Sequence, residues 1–219
     1  DKFKARDGEI ERSPASISID DAFDSGLNVI VLGDAGSGKT TNLQVYTKKL
    51  LEKESGKLVI YMTLSELAYN MSKNSDQNII GGVWGFLNKV GINNFSFSSL
   101  NDYFKNKEVC LILDSVDEAV VQYDWILSAL REVLNLNKDC QIITSSRFTV
   151  SDLPSLGYVN ISLLPFTDDQ KNDFFSKWFV DDLESVDSIM SHLKKHPDLD
   201  LVVTNPLSAT IMASLKDSS

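Results

Sequence analysis

Short apolar runs alternate along this chain with stretches whose apolar residues fall at helical spacing. The runs cover 27–32, 58–64, 109–114, 141–145 and 159–164, the last stopped by Pro165. Each is short and nearly continuous, the pattern of a strand buried on both faces of a parallel sheet. Between them, Leu43, Tyr46, Thr47, Leu50 and Leu51 predict a helix over 39–54, ended by Gly56. Ser65 is the expected cap of a short helix, and 79–90 reads as helical despite Gly81 and Gly82. A helical turn is expected over 100–104 and another over 17–23. Tyr123, Ile126, Leu127, Leu130 and Leu134 predict one amphipathic helix. Residues 1–15 are mostly charged and irregular, and 72–78 reads as a polar loop.

Strand and helix in alternation indicate an α/β fold, a mostly parallel sheet covered on both faces. From Thr167 the pattern turns purely helical. Thr167-Asp168-Asp169-Gln170 is a capping box, and the helix behind it carries Phe174, Phe175, Trp178 and Phe179. Val186, Ile189, Met190 and Leu193 mark a second helix, and Asn205-Pro206 opens a third. The expected organisation is a lead-in over 1–26, an α/β core over 27–166 and a helical lid over 167–219, packed against one edge of the site.

Composition narrows the function. With 42% hydrophobic and 24% charged residues, the chain has ordinary globular content. A domain of this size buries about 70% of its unfolded surface, enough for a real core. The net charge of −10 argues against a nucleic-acid backbone as the main partner of this segment. No apolar run reaches the roughly 18 residues of a membrane span, and no signal-peptide pattern opens the chain. Cys110 and Cys140 both open predicted strands and read as reduced core residues, which points to a cytoplasmic protein. The chain begins with Asp1 rather than methionine, so an upstream portion is expected.

The chemistry concentrates after the first strand. Gly33-Asp34-Ala35-Gly36-Ser37-Gly38-Lys39-Thr40 fits the phosphate-loop pattern at every fixed position. Glycines let the backbone curl so that successive N–H groups point into one concavity, with a helix N-terminus behind it. Residues Gly33 to Thr41 are therefore expected to bind nucleotide. Lys39 would reach the β- and γ-phosphates, and the Thr40 hydroxyl would ligate Mg²⁺. A phosphate loop also needs an acid at the end of a neighbouring buried strand, and Asp114 is placed to hold the metal. Glu118 is the expected base or water-positioning group, with Asp117 the second candidate. Arg147, ending the fourth strand, would put its guanidinium near the γ-phosphate. His192 and His196 are spaced as metal pairs are, but no glutamate or third ligand accompanies them.

Together these motifs resemble the NACHT-type NTPase domain of the STAND signalling ATPases. The resemblance runs over about 28–215. Its most specific feature is Leu111-Ile112-Leu113-Asp114-Ser115-Val116-Asp117-Glu118, similar to the family's acid-tipped strand and the Asp-Glu that follows. Arg147 corresponds to the family's sensor arginine, and Leu163-Leu164-Pro165-Phe166 is also family-like. Asn205-Pro206-Leu207 is similar to a motif whose proline packs near the adenine, although relatives often begin it with glycine. The resemblance implies a P-loop NTPase fold with strand order 5-1-4-3-2, and ATP or ADP rather than guanine nucleotide. The chain has no Asn-Lys-x-Asp guanine reader and no Leu-Ser-Gly-Gly-Gln stretch. The resemblance also implies a slow ATPase switch in a longer multidomain protein, which assembles into a homo-oligomer when activated, in innate immune or antiviral defence. A nucleotide-dependent scaffold without turnover is the alternative. A small-molecule kinase is a third class, against which the lid's all-lysine cations count (Lys171, Lys177, Lys194, Lys195 and Lys216).

Overall fold

The computed structural model describes residues 16–53, 56–73, 78–106, 109–147 and 157–217. The irregular lead-in expected over 1–15, the middle of the loop over 74–77 and the expected helix end at 54 lie outside them. Five parallel strands form one sheet: β1 (Val29–Leu32), β2 (Leu58–Thr63), β3 (Val109–Asp114), β4 (Cys140–Ser146) and β5 (Val159–Ser162). Their order is β2-β3-β4-β1-β5, which is 5-1-4-3-2 read from the other edge, as the resemblance implied. β1, carrying the phosphate loop at its end, lies between β4 and β5, with Val31 beside Ser145 and Ile161.

The continuous apolar runs have a direct cause. Every residue of β3 and β4 is buried, because helices cover both faces of the sheet. Successive side chains still point to opposite layers. Ile30, Met62, Leu111, Leu113 and Ile142 enter one core. Val29, Val31, Cys110, Ile112 and Ile143 enter the other, with Phe23, Leu43 and Tyr46. The first layer is built from α3 (Leu64–Ser72), α4 (Ile79–Lys89), α5 (Phe97–Asn106), α6 (Val116–Gln122) and α7 (Ile126–Leu136). The second is built from α1 (Ile19–Asp24) and α2 (Lys39–Glu52). β5, at the edge, is mostly exposed and stops two residues before the expected end.

Several local expectations are corrected. Ser65 does not cap α3; Thr63, the last residue of β2, does, its Oγ1 accepting from the Glu66 amide at 3.1 Å. The strand therefore runs straight into the helix. The glycines of α4 are a packing device: a Cβ on Gly82 would overlap Met71 Cγ and sit 2.9 Å from Leu67 Cδ1. They let α4 lie against α3 at close range. α5 is a ten-residue helix rather than one turn. The single helix expected after β3 is two, broken at Tyr123. There the Tyr123 and Trp125 rings meet edge to face at 5.8 Å and pack against the core. A straight helix would point these rings away from each other.

After the sheet come α8 (Asp168–Trp178), α9 (Leu183–Lys195), α10 (Pro197–Asp200) and α11 (Pro206–Asp217). They enclose a third core around Phe175, Val186, Ile189 and Ala209. The capping box at Thr167 forms in full, with Thr167 and Gln170 each bonding the other's backbone. The aromatic face divides: Phe175 and Phe179 are buried, while Trp178 is half-exposed and stacks on Phe174.

Candidate active site

The phosphate loop curls between β1 and α2. Gly36 and Gly38 take positive φ angles of 77° and 92°. Gly38 is the N-cap of α2 and supplies no side chain, so Lys39, Thr40 and Thr41 open the helix with no side-chain cap on their amides. These amides and the positive end of the helix are suited to an anion. Ala35 and Gly36 form the exposed turn of the loop, closed by the Ser37 amide donating to the Asp34 carbonyl at 3.2 Å. Lys39 Nζ reaches back over the loop and donates to the carbonyls of Gly33 (2.6 Å) and Asp34 (2.9 Å). Its ammonium thus sits at the mouth of the concavity. Ser37 Oγ is buried with no hydrogen-bond partner, an orphaned polar atom inside the loop.

Asp114 ends β3 almost fully buried. Its Oδ2 accepts from Thr40 Oγ1 at 2.7 Å, joining the acid-tipped strand to the helix behind the loop. Tyr61, from the neighbouring strand β2, donates to the same oxygen at 3.4 Å and is itself approached by Gln44 Nε2. Burial, and then the Asp114 carboxylate, holds the Tyr61 phenol above its ordinary value, so it remains a donor. The other oxygen, Oδ1, accepts from Ser145 Oγ of β4.

Beyond Asp114 the chain turns through Ser115, a non-glycine residue in the left-handed region (φ 61°, ψ 60°). The turn places Asp117 and Glu118 in the first turn of α6. Arg147 joins them from the end of β4: its Nη2 donates to Glu118 Oε1 at 2.7 Å, and its Nε lies 3.6 Å from Asp117 Oδ2. Asp117 is buried, whereas Glu118 and Arg147 are each more than half exposed.

The C-terminal helical region reaches the loop through the start of α11. The Leu207 amide donates to the Gly36 carbonyl at 3.3 Å, and Pro206 Cγ would lie 3.5 Å from a Cβ on Gly38. A cleft of about 80 Å³ lies beside this contact, lined by Ser37, Leu164, Pro165, Phe166, Asn205 and Pro206. His192 lies on α9 and His196 just past its end, with ring centroids 4.4 Å apart, and His192 lines a different groove. Among the described residues no three histidines, cysteines or acids gather as a metal cluster.

All the loop residues, Asp114, Asp117, Glu118, Arg147 and Pro206 thus lie at the carboxyl ends of the strands or against the loop there. Sequence reasoning missed Ser145 and Tyr61, which carry no motif. They meet Asp114 only because β4 and β2 flank β3 in the sheet. Leu207 was visible as part of a motif, but its seat on Gly36 was not.

The fold is similar to that of several solved structures. They include a DNA replication initiation factor (TM-score 0.51, 16% identity, covering 92% of this chain and 62% of that one). Another is the replication initiator DnaA bound to AMPPCP and single-stranded DNA (TM-score 0.50, 17% identity, 87% and 55%). A third is C. elegans PCH-2 (TM-score 0.50, 8% identity, 88% and 62%). The chain spans between 55% and 62% of the length of these three. No curated protein sequence matches it. The strand order and the phosphate loop are those of a P-loop NTPase fold, and the likeness is one of fold. Residues 27–182 match the NACHT domain, and the chain belongs to that family of nucleotide-binding domains.

Proposed function

We propose that this domain binds ATP with Mg²⁺ and hydrolyses it slowly, as the switch of a longer signalling protein. The observation that carries this is the Thr40–Asp114 hydrogen bond beneath the phosphate loop, with Asp117, Glu118 and Arg147 gathered beside it. The donor set fits Mg²⁺: a hydroxyl and a carboxylate oxygen already in contact are hard ligands of the kind that ion takes. Thr40 and Asp114 would hold it, and when bound it neutralises charge on the phosphates.

This chain's own groups do the rest. The loop amides would bind the β-phosphate, and Lys39 would exchange the Gly33 and Asp34 carbonyls for phosphate oxygens. Glu118 would take a proton from the attacking water. For that it must part from Arg147, whose guanidinium is then free to face the transferring phosphoryl group. Pro206, with Leu164, Pro165 and Phe166 of the cleft beside it, would shield the base and sugar from water. Adenine as the base, activation through a homo-oligomer and a role in immune or antiphage defence are carried over from the family resemblance, and a cytoplasmic location from the two free, buried cysteines.

A second reading has an observation of its own. Glu118 is held by Arg147 rather than standing free, which suits a scaffold that binds nucleotide without turnover. Phosphate release from Glu118→Gln beside Lys39→Ala separates the two. The switch reading expects Glu118→Gln to keep nucleotide binding and lose about 10²- to 10⁴-fold in turnover, with Lys39→Ala losing binding itself. Unchanged phosphate release in Glu118→Gln would sink Glu118 as the base. GDP released by heat from the purified protein would overturn the ATP assignment.

A further inference from the structure

Asp114 and the turn after it share one unassigned partner. Ser145 is fully buried at the penultimate position of β4, beside the tip of β3. Its Oγ contacts two groups, and the direction of each bond is fixed by chemistry. The Ser115 backbone N–H, at 3.0 Å, can only donate, so Ser145 Oγ accepts there. The hydroxyl's one proton is then available for Asp114 Oδ1, to which it donates. Thr40 and Tyr61 both address the other oxygen, Oδ2. Three contacts restrain the carboxylate: Ser145 ties one oxygen to β4, and Thr40 and Tyr61 hold the other toward the phosphate loop. Ser115 is also the strained residue that turns the chain toward Asp117 and Glu118. One hydroxyl therefore clamps both the acid at the strand tip and the turn that delivers the next two acids.

We propose that Ser145 is a positioning residue of the nucleotide site, acting through Asp114 to set the carboxylate that would hold Mg²⁺. This rests on the reading of Thr40 and Asp114 as the metal site. Removing the hydroxyl leaves a buried carboxylate oxygen and a partly buried amide without their partner. Partners of this kind, bonded to a ligating carboxylate, typically change metal affinity by about 10- to 100-fold when removed.

The test uses the non-hydrolysable ATP analogue AMPPCP, titrated against the protein at a series of Mg²⁺ concentrations and in EDTA. Ser145→Ala is expected to raise the Mg²⁺ concentration for half-maximal binding by about 10- to 100-fold. Binding in EDTA should stay at the wild-type value, and Ser145→Thr, which keeps the hydroxyl, should restore the Mg²⁺ response. Equal loss with and without Mg²⁺, or no change in either, overturns the role of Ser145. If Ser145→Ala does not fold, Ser145→Cys, close in size with only a weak donor, is judged by the same criteria. A wild-type protein whose AMPPCP binding ignores Mg²⁺ would instead overturn the metal site itself, and the inference with it.

Discussion

At Gly36 two constraints coincide. The backbone is in the left-handed region, and an added Cβ would lie 2.5 Å from Leu207 Cβ and 2.7 Å from its Cδ2. The glycine is therefore needed both to turn the phosphate loop and to seat the start of α11 upon it. Gly36→Ala should destabilise the domain by about 1–3 kcal/mol in urea unfolding, from the strained φ and the overlap together. It should also weaken nucleotide binding, because α11 must back away from the loop. Adding Leu207→Ala removes the clashes with the outer side-chain atoms but keeps the one with Cβ. The double variant is thus expected to recover part of the loss and not all of it. Full recovery would show that neither the φ angle nor the remaining overlap with Cβ carries strain.

Between elements, the informative contact is a buried cation. Lys171 of α8 is almost fully buried, and its Nζ donates to Asp200 Oδ1 at 2.5 Å and to the Asp200 carbonyl at 3.3 Å. Asp168 stands 3.7 Å away. The pair ties α8 to α10, just ahead of the segment whose Thr204 carbonyl accepts from the Phe166 amide at 2.8 Å. Removing one member of a buried pair strands the other charge, whereas replacing the cation with an apolar chain of similar length does not. Asp200 is partly exposed, so water softens the penalty. Asp200→Ala should lower stability by about 1–3 kcal/mol, and Lys171→Met by less. Urea midpoints of the two variants check the order. The pair was not legible in the sequence: Lys171 was only one of five lysines after Pro165, and nothing local announces that α10 folds back over it.

On the scale of the whole molecule, the two-layer burial of the sheet makes an alkaline weakness. Burial pushes the Cys110 and Cys140 thiols up from 9.0 to about 12, and raises the phenols of Tyr46 and Tyr158 above their ordinary value. Between 9.0 and about 12 the folded state holds protons at these thiols that the unfolded chain has released. Stability is therefore complete below about pH 9 and falls as pH rises. Each thiol contributes a slope of about 1.4 kcal/mol per pH unit in that window. Urea unfolding at pH 8, 10 and 11 is expected to show a steepening decline, with the phenols adding to it above pH 10. Equal midpoints at pH 8 and 11 would contradict the burial of both thiols.

The sequence by itself determined the strands, the loop and most of the candidate site. Short continuous apolar runs between turn signals read as strands, although β5 at the edge is mostly exposed, and the loop pattern is a local backbone requirement written in glycines. Asp114 was legible because an acid ending an apolar run has few other reasons to be there. What depended on several segments meeting was decided by tertiary structure. Thr63 displaces Ser65 as a cap because β2 ends where α3 begins. One expected helix became two because Tyr123 and Trp125 both turn into the core. Arg147 reaches Asp117 and Glu118, and Ser145 reaches Asp114, only because β4 and β3 are neighbours although the sequence puts about thirty residues between them. Local spacing fixes what a segment prefers. Which distant side chain completes its hydrogen bonds is settled only when the sheet is assembled.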